Sequence, residues 1–176
     1  RETASVLKVD SLGNTLWYKN FGNQFSSSMA GIAKSSDSTY VIAYGKSDGT
    51  YCSGSPNYSP EILKVNQDGN ELWSLNHEYD CYANPLITKE VSFGGGYIIV
   101  GIMLDDLQIS SGEKYLEWVT FLLRLDNEGK LLWERRYAWD SKFFERYFNS
   151  RMYSVEPTVD KGFICVGSSS ENGIRN

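Results

Sequence analysis

Histidine is nearly absent from this sequence: His77 is the only one in 176 residues. Multi-histidine metal centres are thereby excluded, and nucleophile activation by imidazole has a single candidate base, which reads as an exposed residue at a strand end. Three cysteines, Cys52, Cys81 and Cys165, are too few for a disulfide scaffold. Acidic residues outnumber basic ones by 22 to 17, for a net charge of -5. Nothing in that balance attracts a polyphosphate, so a nucleic-acid partner is excluded. No apolar run approaches the roughly 18 residues of a membrane-spanning helix. EF-hand, phosphate-loop and dinucleotide fingerprints are missing too, so no cofactor is expected. Gly94-Gly95-Gly96 is a turn and not a phosphate cradle, since no helix follows it.

What is present is apolar and aromatic: 41% hydrophobic residues and 14% aromatics, ample for the core of one domain of this length. Three segments superimpose without gaps: Leu7-Lys8-Val9-Asp10 to Trp17, Leu63-Lys64-Val65-Asn66 to Trp73, and Leu123-Arg124-Leu125-Asp126 to Trp133. Their tryptophans are 56 and then 60 residues apart. A second motif interleaves with the first: Tyr40-Val41-Ile42-Ala43-Tyr44-Gly45, Tyr97-Ile98-Ile99-Val100-Gly101 and Phe163-Ile164-Cys165-Val166-Gly167. Two motifs repeating in the same order at this period mark stacked or radially arranged supersecondary units.

Each motif has a local reading. Asp or Asn three residues before Gly, between β-rich runs, is a hairpin turn in which the Asx side chain caps its own backbone. Leu-Lys-Val has the period of a half-buried strand, with the basic residue outward. The Tyr/Phe-Ile run is a strand buried on both faces. One period then holds four strands. The A strands are expected at 29–35, 86–92 and 152–158, and the B strands at 39–45, 96–103 and 162–168. The C strands fall at 5–10, 61–66 and 117–126, and the D strands at 14–21, 70–76 and 130–137. Four antiparallel strands in 56 to 60 residues is the size of a β-propeller blade. The expected fold is therefore all-β: a propeller segment with a half blade at 1–21, blades at 29–77 and 86–137, and a half blade at 152–170. The tryptophans read as core or inter-blade packing.

The repeat, of the form L-K-L-D-x-x-G-x-x-x-W followed by G-G-Y-I-V-x-G, resembles bacterial surface and secreted β-propeller proteins of the kind abundant in Bacteroidetes. It is more distantly similar to the tryptophan-docking motif of quinoproteins and to the Asp box of sialidases. The departures are defined. The docking motif carries one more residue, a threonine, before its glycine. The Asp box places its glycine two residues after the aspartate, where this chain has three. Neither enzyme activity is carried over. What the resemblance implies is a secreted, cell-surface or outer-membrane-associated scaffold.

The half blades at the two ends pair into one blade or belong to a larger ring. Three blades are fewer than closed propellers use, so the chain is either a piece of a longer propeller or one of two copies that self-associate into six blades. An opening at Arg1-Glu2-Thr3-Ala4 without Met favours the piece.

Length variation falls on one face. Between successive motif glycines the spacing is 32, 32 and then 38 residues, the extra ones lying between strands D and A. Between B and C it is 24 and then 28. In an up-down meander the B–C and D–A connections leave the same face, where recognition loops sit on rigid scaffolds. The B–C loop at 46–60 carries Tyr51, Cys52 and Tyr58, and the D–A loop at 77–85 carries Tyr79, Cys81 and Tyr82. Cys52 and Cys81 are within reach of a disulfide in an oxidising compartment; otherwise they are two unrelated loop thiols. Trp139, Phe143 and Phe144 lie in the second D–A insertion, where 141–148 has the aromatic spacing of a short helix. Tyr51, Tyr58, Tyr79, Tyr82, Trp139, Phe143 and Phe144 thus form a candidate face for a protein or glycan; ordinary loop packing is the alternative. His77 with Asp80 and Cys81 makes only a partial metal site, and Asp105-Asp106 with Glu113 reads as a solvated acidic loop. The expected function is a non-catalytic binding module. The rival is a fragment of a quinone-dependent or glycan-cleaving propeller enzyme, which needs polar groups converging from the A-strand ends, here only Lys34, Lys89, Glu90 and Glu156.

Overall fold

The computed structural model describes residues 3–22, 27–52, 54–108, 114–137 and 148–171. Over these residues it is all-β, with twelve strands in the A-to-D phase read from the repeat. β1 (Ala4–Val9) and β2 (Thr15–Phe21) form a C–D pair. β3 (Ser27–Lys34), β4 (Tyr40–Cys52), β5 (Ser55–Val65) and β6 (Glu71–Asn76) make one four-stranded antiparallel meander. β7 (Ala83–Glu90), β8 (Tyr97–Gln108), β9 (Lys114–Leu125) and β10 (Leu131–Tyr137) make the second. β11 (Phe148–Pro157) and β12 (Phe163–Glu171) are an A–B pair, joined to β9 by a single parallel bridge between Asn149 and Trp118. Among the described residues β12 does not pair with β1, and the sheets do not close into a barrel or ring. No helix among them is long and apolar enough to cross a membrane.

The C–D turns form as their residues dictate. Asp10, Asn66 and Asp126 each accept two backbone N–H groups on one side-chain oxygen, those of the residues two and four further on, at 2.8–3.1 Å. The units then stack face to face, and the repeated Trp and Gly build the joint. Trp17 lies over Gly69 and donates its indole N–H to Gln67 O at 2.8 Å. Trp73 lies over Gly129 and donates to Asn127 O at 3.2 Å. Gly129 has φ +82°, and a Cβ there would stand 2.7 Å from the Trp73 ring. Glycine is required twice over, by the turn and by the tryptophan above it.

Three apolar clusters fill the gaps between units. Ile42, Tyr44, Leu63 and Val65 meet Val6 and Phe21 at the first joint. Val41, Ala43 and Ile62 meet Tyr97, Ile99, Phe121, Leu123 and Leu125 at the second. Ile98, Val100 and Leu122 meet Val155, Met152, Phe163 and Cys165 at the third.

This stacking corrects the orientation expected for the basic residue of strand C. Lys64 and Arg124 are not outward but buried, at 7% and 5% exposure. A strand sandwiched between two units has no solvent face, so its polar side chain must find a partner inside. Lys64 Nζ pairs with Asp37 at 2.7 Å, and Arg124 donates to the carbonyls of Phe93, Gly95, Tyr97 and Leu125.

The B–C connections are also different from expectation. Residues 46–52 and 55–60 are a paired arm and not a loop: β4 runs to Cys52 and β5 starts at Ser55, with Ser47 opposite Tyr58 and Cys52 opposite Ser55. The second arm extends β8 and β9 in the same way to Gln108 and Lys114. Of the helix expected at 141–148, residues 141–147 lie outside the described residues, and Phe148 opens β11 opposite Glu171.

Candidate functional site

The first arm and the connection after β6 are covalently joined. Cys52 and Cys81 form a disulfide with their Cα atoms 5.4 Å apart. The bond closes a separation of 29 residues, which contributes about 3–4 kcal/mol in the loop-entropy account. Pairing of the arm places Tyr51, Cys52 and Ser55 at its tip, and His77 N–H bonds Pro60 O at 2.9 Å, so the downstream connection runs back along the same arm. Tyr79 N–H donates to Ser59 Oγ at 3.2 Å and fastens it again.

This geometry divides the tyrosines that the sequence grouped together. Tyr51 is 74% exposed at the arm tip. Tyr58, by contrast, is buried at 8% and stands edge-on to Tyr82 with ring centres 5.4 Å apart. Tyr82 in turn stands edge-on to Trp118 at 5.0 Å, and Tyr79 packs on Phe121 at 5.6 Å. Tyr58 is therefore core and not an exposed contact, and Tyr79 and Tyr82 present only part of their surface. Aromatic area near the joint is drawn onto neighbouring rings, each edge-to-face pair adding about 0.5–1.5 kcal/mol beyond burial. Trp139, Phe143 and Phe144 lie outside the described residues.

Beneath Tyr79 runs a charged network that links both units. His77 Nε2 is 3.0 Å from Glu134 Oε2, and Arg136 donates its Nε–H to Glu134 Oε1 at 2.9 Å. Arg136 also bridges to both Asp105 oxygens, at 3.1 and 3.2 Å, and lies over the Tyr79 ring at 5.6 Å. Burial opposes the charge on Glu134, but bonds from Arg136 and His77 outweigh it and hold the carboxyl below its ordinary value. Burial, with Glu134 beside it, pushes the Tyr79 phenol above its usual range.

Between the arm and the strand-end connection lies a cleft of about 220 Å³, lined by Lys46, Ser47, Asp48, Ser59, Asn76, Glu78 and Tyr79. Its wall is polar and of mixed charge. Lys46 pairs with Glu61 at 2.9 Å, and Asp48 caps Thr50 through N–H and hydroxyl at 2.8 and 2.6 Å.

Metal and catalytic readings fare differently. Cys81 is in the disulfide and so cannot complete a metal site with His77 and Asp80. Asp105 is held by Arg136, and Glu113 lies outside the described residues. Among the described residues no three His, Cys, Asp or Glu side chains gather where they could hold a metal. Three of the four polar groups at the A-strand ends are engaged in joining units. Lys89 pairs with Glu156 at 2.5 Å, and Glu90 accepts from Ser35 and Ser36 at 2.7–3.0 Å. The network around Glu134 was not foreseen, because its members come from β8, β10 and the connection after β6. Only the lone histidine marked it in the sequence. No family model matches the chain, and no curated protein matches it significantly.

Proposed function

We propose that this chain is a segment of a β-propeller and works as a non-catalytic binding module. It presents the face carrying its B–C arms and D–A connections to a glycan or a protein. The repeat of four-stranded meanders, each docked on the next by a tryptophan over a glycine, supports the propeller reading. The observation that carries the binding reading is the disulfide-fixed arm, which carries an exposed Tyr51 at its tip and, through Lys46, Ser47, Asp48 and Ser59, lines a polar cleft further back. An aromatic held on the same arm as neutral and charged hydrogen-bonding groups is suited to a sugar: the ring stacks, and the cleft takes hydroxyls at little ordering cost. That chemistry favours a glycan over a protein. A disulfide belongs to an oxidising compartment, which supports a secreted or cell-surface setting.

The test is binding of the purified chain to a microarray of neutral and acidic oligosaccharides, alongside Tyr51→Ala and Glu78→Lys variants. Both positions are exposed, so the variants should keep the thermal unfolding of the parent. Retention on a defined set of glycans, reduced at least tenfold by either substitution, is the expected result. Retention unaffected by both substitutions would remove the function from this face.

A further inference from the structure

The wall of the cleft beside the first arm carries one cation and two anions: Lys46 and Asp48 on the arm, and Glu78 on the connection after β6. The cation is engaged. Lys46 Nζ donates to Glu61 Oε2 at 2.9 Å, and Glu61 is the more buried partner, with 13% of its side chain exposed against 31%. A carboxylate withdrawn from water keeps its counter-ion, so Lys46 is not open to an anion on a ligand. The two anions have no counter-ion. Among the described residues neither Asp48 nor Glu78 forms an ion pair. Asp48 accepts the N–H and hydroxyl of Thr50 on Oδ1, and Asn57 Nδ2–H on Oδ2 at 3.4 Å. Glu78 Oε1 accepts from Asn76 Nδ2 at 3.5 Å, the long limit of a hydrogen bond. All these donors are neutral and leave both charges standing. The Thr50 hydroxyl, the strongest influence, holds the Asp48 carboxyl below its ordinary value, so it is ionised at neutral pH.

The surroundings do not restore the balance. Arg136, over the Tyr79 ring, is held between Glu134 and Asp105, two carboxylates to one guanidinium. The rest of the wall is neutral and hydrogen-bonding. Ser59 Oγ accepts the Tyr79 N–H at 3.2 Å and keeps its own proton to donate, and Asn76 adds a carboxamide. Ligand classes separate on this wall. An acidic sugar meets like charge. A neutral sugar takes water from two carboxylates and gives no counter-ion back, whereas an ammonium replaces that water with charge-assisted bonds. A lysine side chain brings an ammonium too, but its methylene stem needs apolar cover, and Tyr79 is the one aromatic or aliphatic side chain of the lining. At about 220 Å³ the cleft is smaller than those that enclose a drug-sized ligand, and is of a size for one sugar residue.

We propose that the cleft takes an amino sugar whose amine is free, its ammonium bound by Asp48 and Glu78 and its hydroxyls by Ser59 and Asn76. The assignment rests on the glycan reading above and narrows it. An otherwise neutral glycan binds at this face, and a free amine raises its affinity.

Two tetramers of one backbone test it: β-1,4-linked glucosamine and its fully N-acetylated form. Each is titrated by calorimetry into the 176-residue chain at about pH 6, where a primary amine is protonated. The parent should bind the free-amine tetramer at least tenfold more tightly, and raising salt to about 0.5 M should shrink that preference. Asp48→Asn with Glu78→Gln keeps neutral hydrogen-bonding groups at both positions and removes their charge. The double variant should bind both tetramers with the affinity the parent has for the acetylated one. Tetralysine, equal in net charge but without the sugar ring, should bind the parent at least tenfold more weakly than the glucosamine tetramer. Equal affinity of the parent for the two tetramers, or a preference that survives in the double variant, would overturn the amino-sugar assignment and leave the glycan reading standing. Tetralysine bound as tightly as the glucosamine tetramer would overturn both in favour of a basic protein segment. Both also fall where neither tetramer nor any glycan of the array is bound.

Discussion

Lys64 and Asp37 show how a charged side chain becomes a joint in this architecture. Lys64 Nζ lies 2.7 Å from Asp37 and 5.7 Å from the centre of the Tyr97 ring on the next unit, so one ammonium fastens a turn and touches a neighbour. Bonds from Lys64 and then Thr39 hold the Asp37 carboxyl far below its ordinary value. A carboxylate whose folded pKa is depressed contributes stability in full above the unfolded value of about 3.9, and that contribution is lost as pH falls through the folded value. Asp37→Asn should therefore lower stability at pH 7 by about 1–2 kcal/mol, a range that allows for solvent screening of a half-exposed carboxylate beside a buried lysine. The gap from the parent should narrow steadily below about pH 4 in urea unfolding. A gap that stays constant down to pH 2 would show that Asp37 acts through its turn and not through Lys64. The sequence disclosed the basic residue but not its burial. A period-2 pattern says which residues share a side and cannot say that both sides are covered.

At the level of elements the repeat was highly legible, because turn residues at fixed spacing phase the strands on either side of them. Asp10, Asn66 and Asp126 fixed three C–D hairpins, and strand identity followed around each. The arms were not legible. Lys46–Cys52 and Ser55–Pro60 have no apolar alternation because the arm pairs through backbone and needs no buried face along most of its length. The disulfide makes that economy tolerable, holding a two-stranded ribbon that by itself is marginal in water. Replacing Cys52 and Cys81 together with serine should lower stability by about 3 kcal/mol and speed amide exchange at 46–60, while β8 and β9 keep their protection. Unchanged exchange in the arm would mean that Ser59, Pro60 and the Tyr58–Tyr82 contact suffice to hold it. The candidate site was legible only in part for a related reason. Tyr51 and Tyr58 look alike in a polar stretch, and which one is exposed depends on Tyr82 and Trp118, far away in sequence.

As a whole molecule the chain is a short one-dimensional stack, and stability in such arrays is a sum of units and of the joints between them. β8 has joints on both faces: Tyr97 and Ile99 enter the second cluster, Ile98 and Val100 the third. Among the described residues β1 has one covered face and one unpaired edge, and β12 likewise. Opening should therefore begin at both ends and reach β8 last, with slowest amide exchange at 97–103 and fastest at 4–9 and 163–168. Amide exchange of the 176-residue chain followed residue by residue checks the gradient, and end strands as slow as β8 would contradict the graded stack itself.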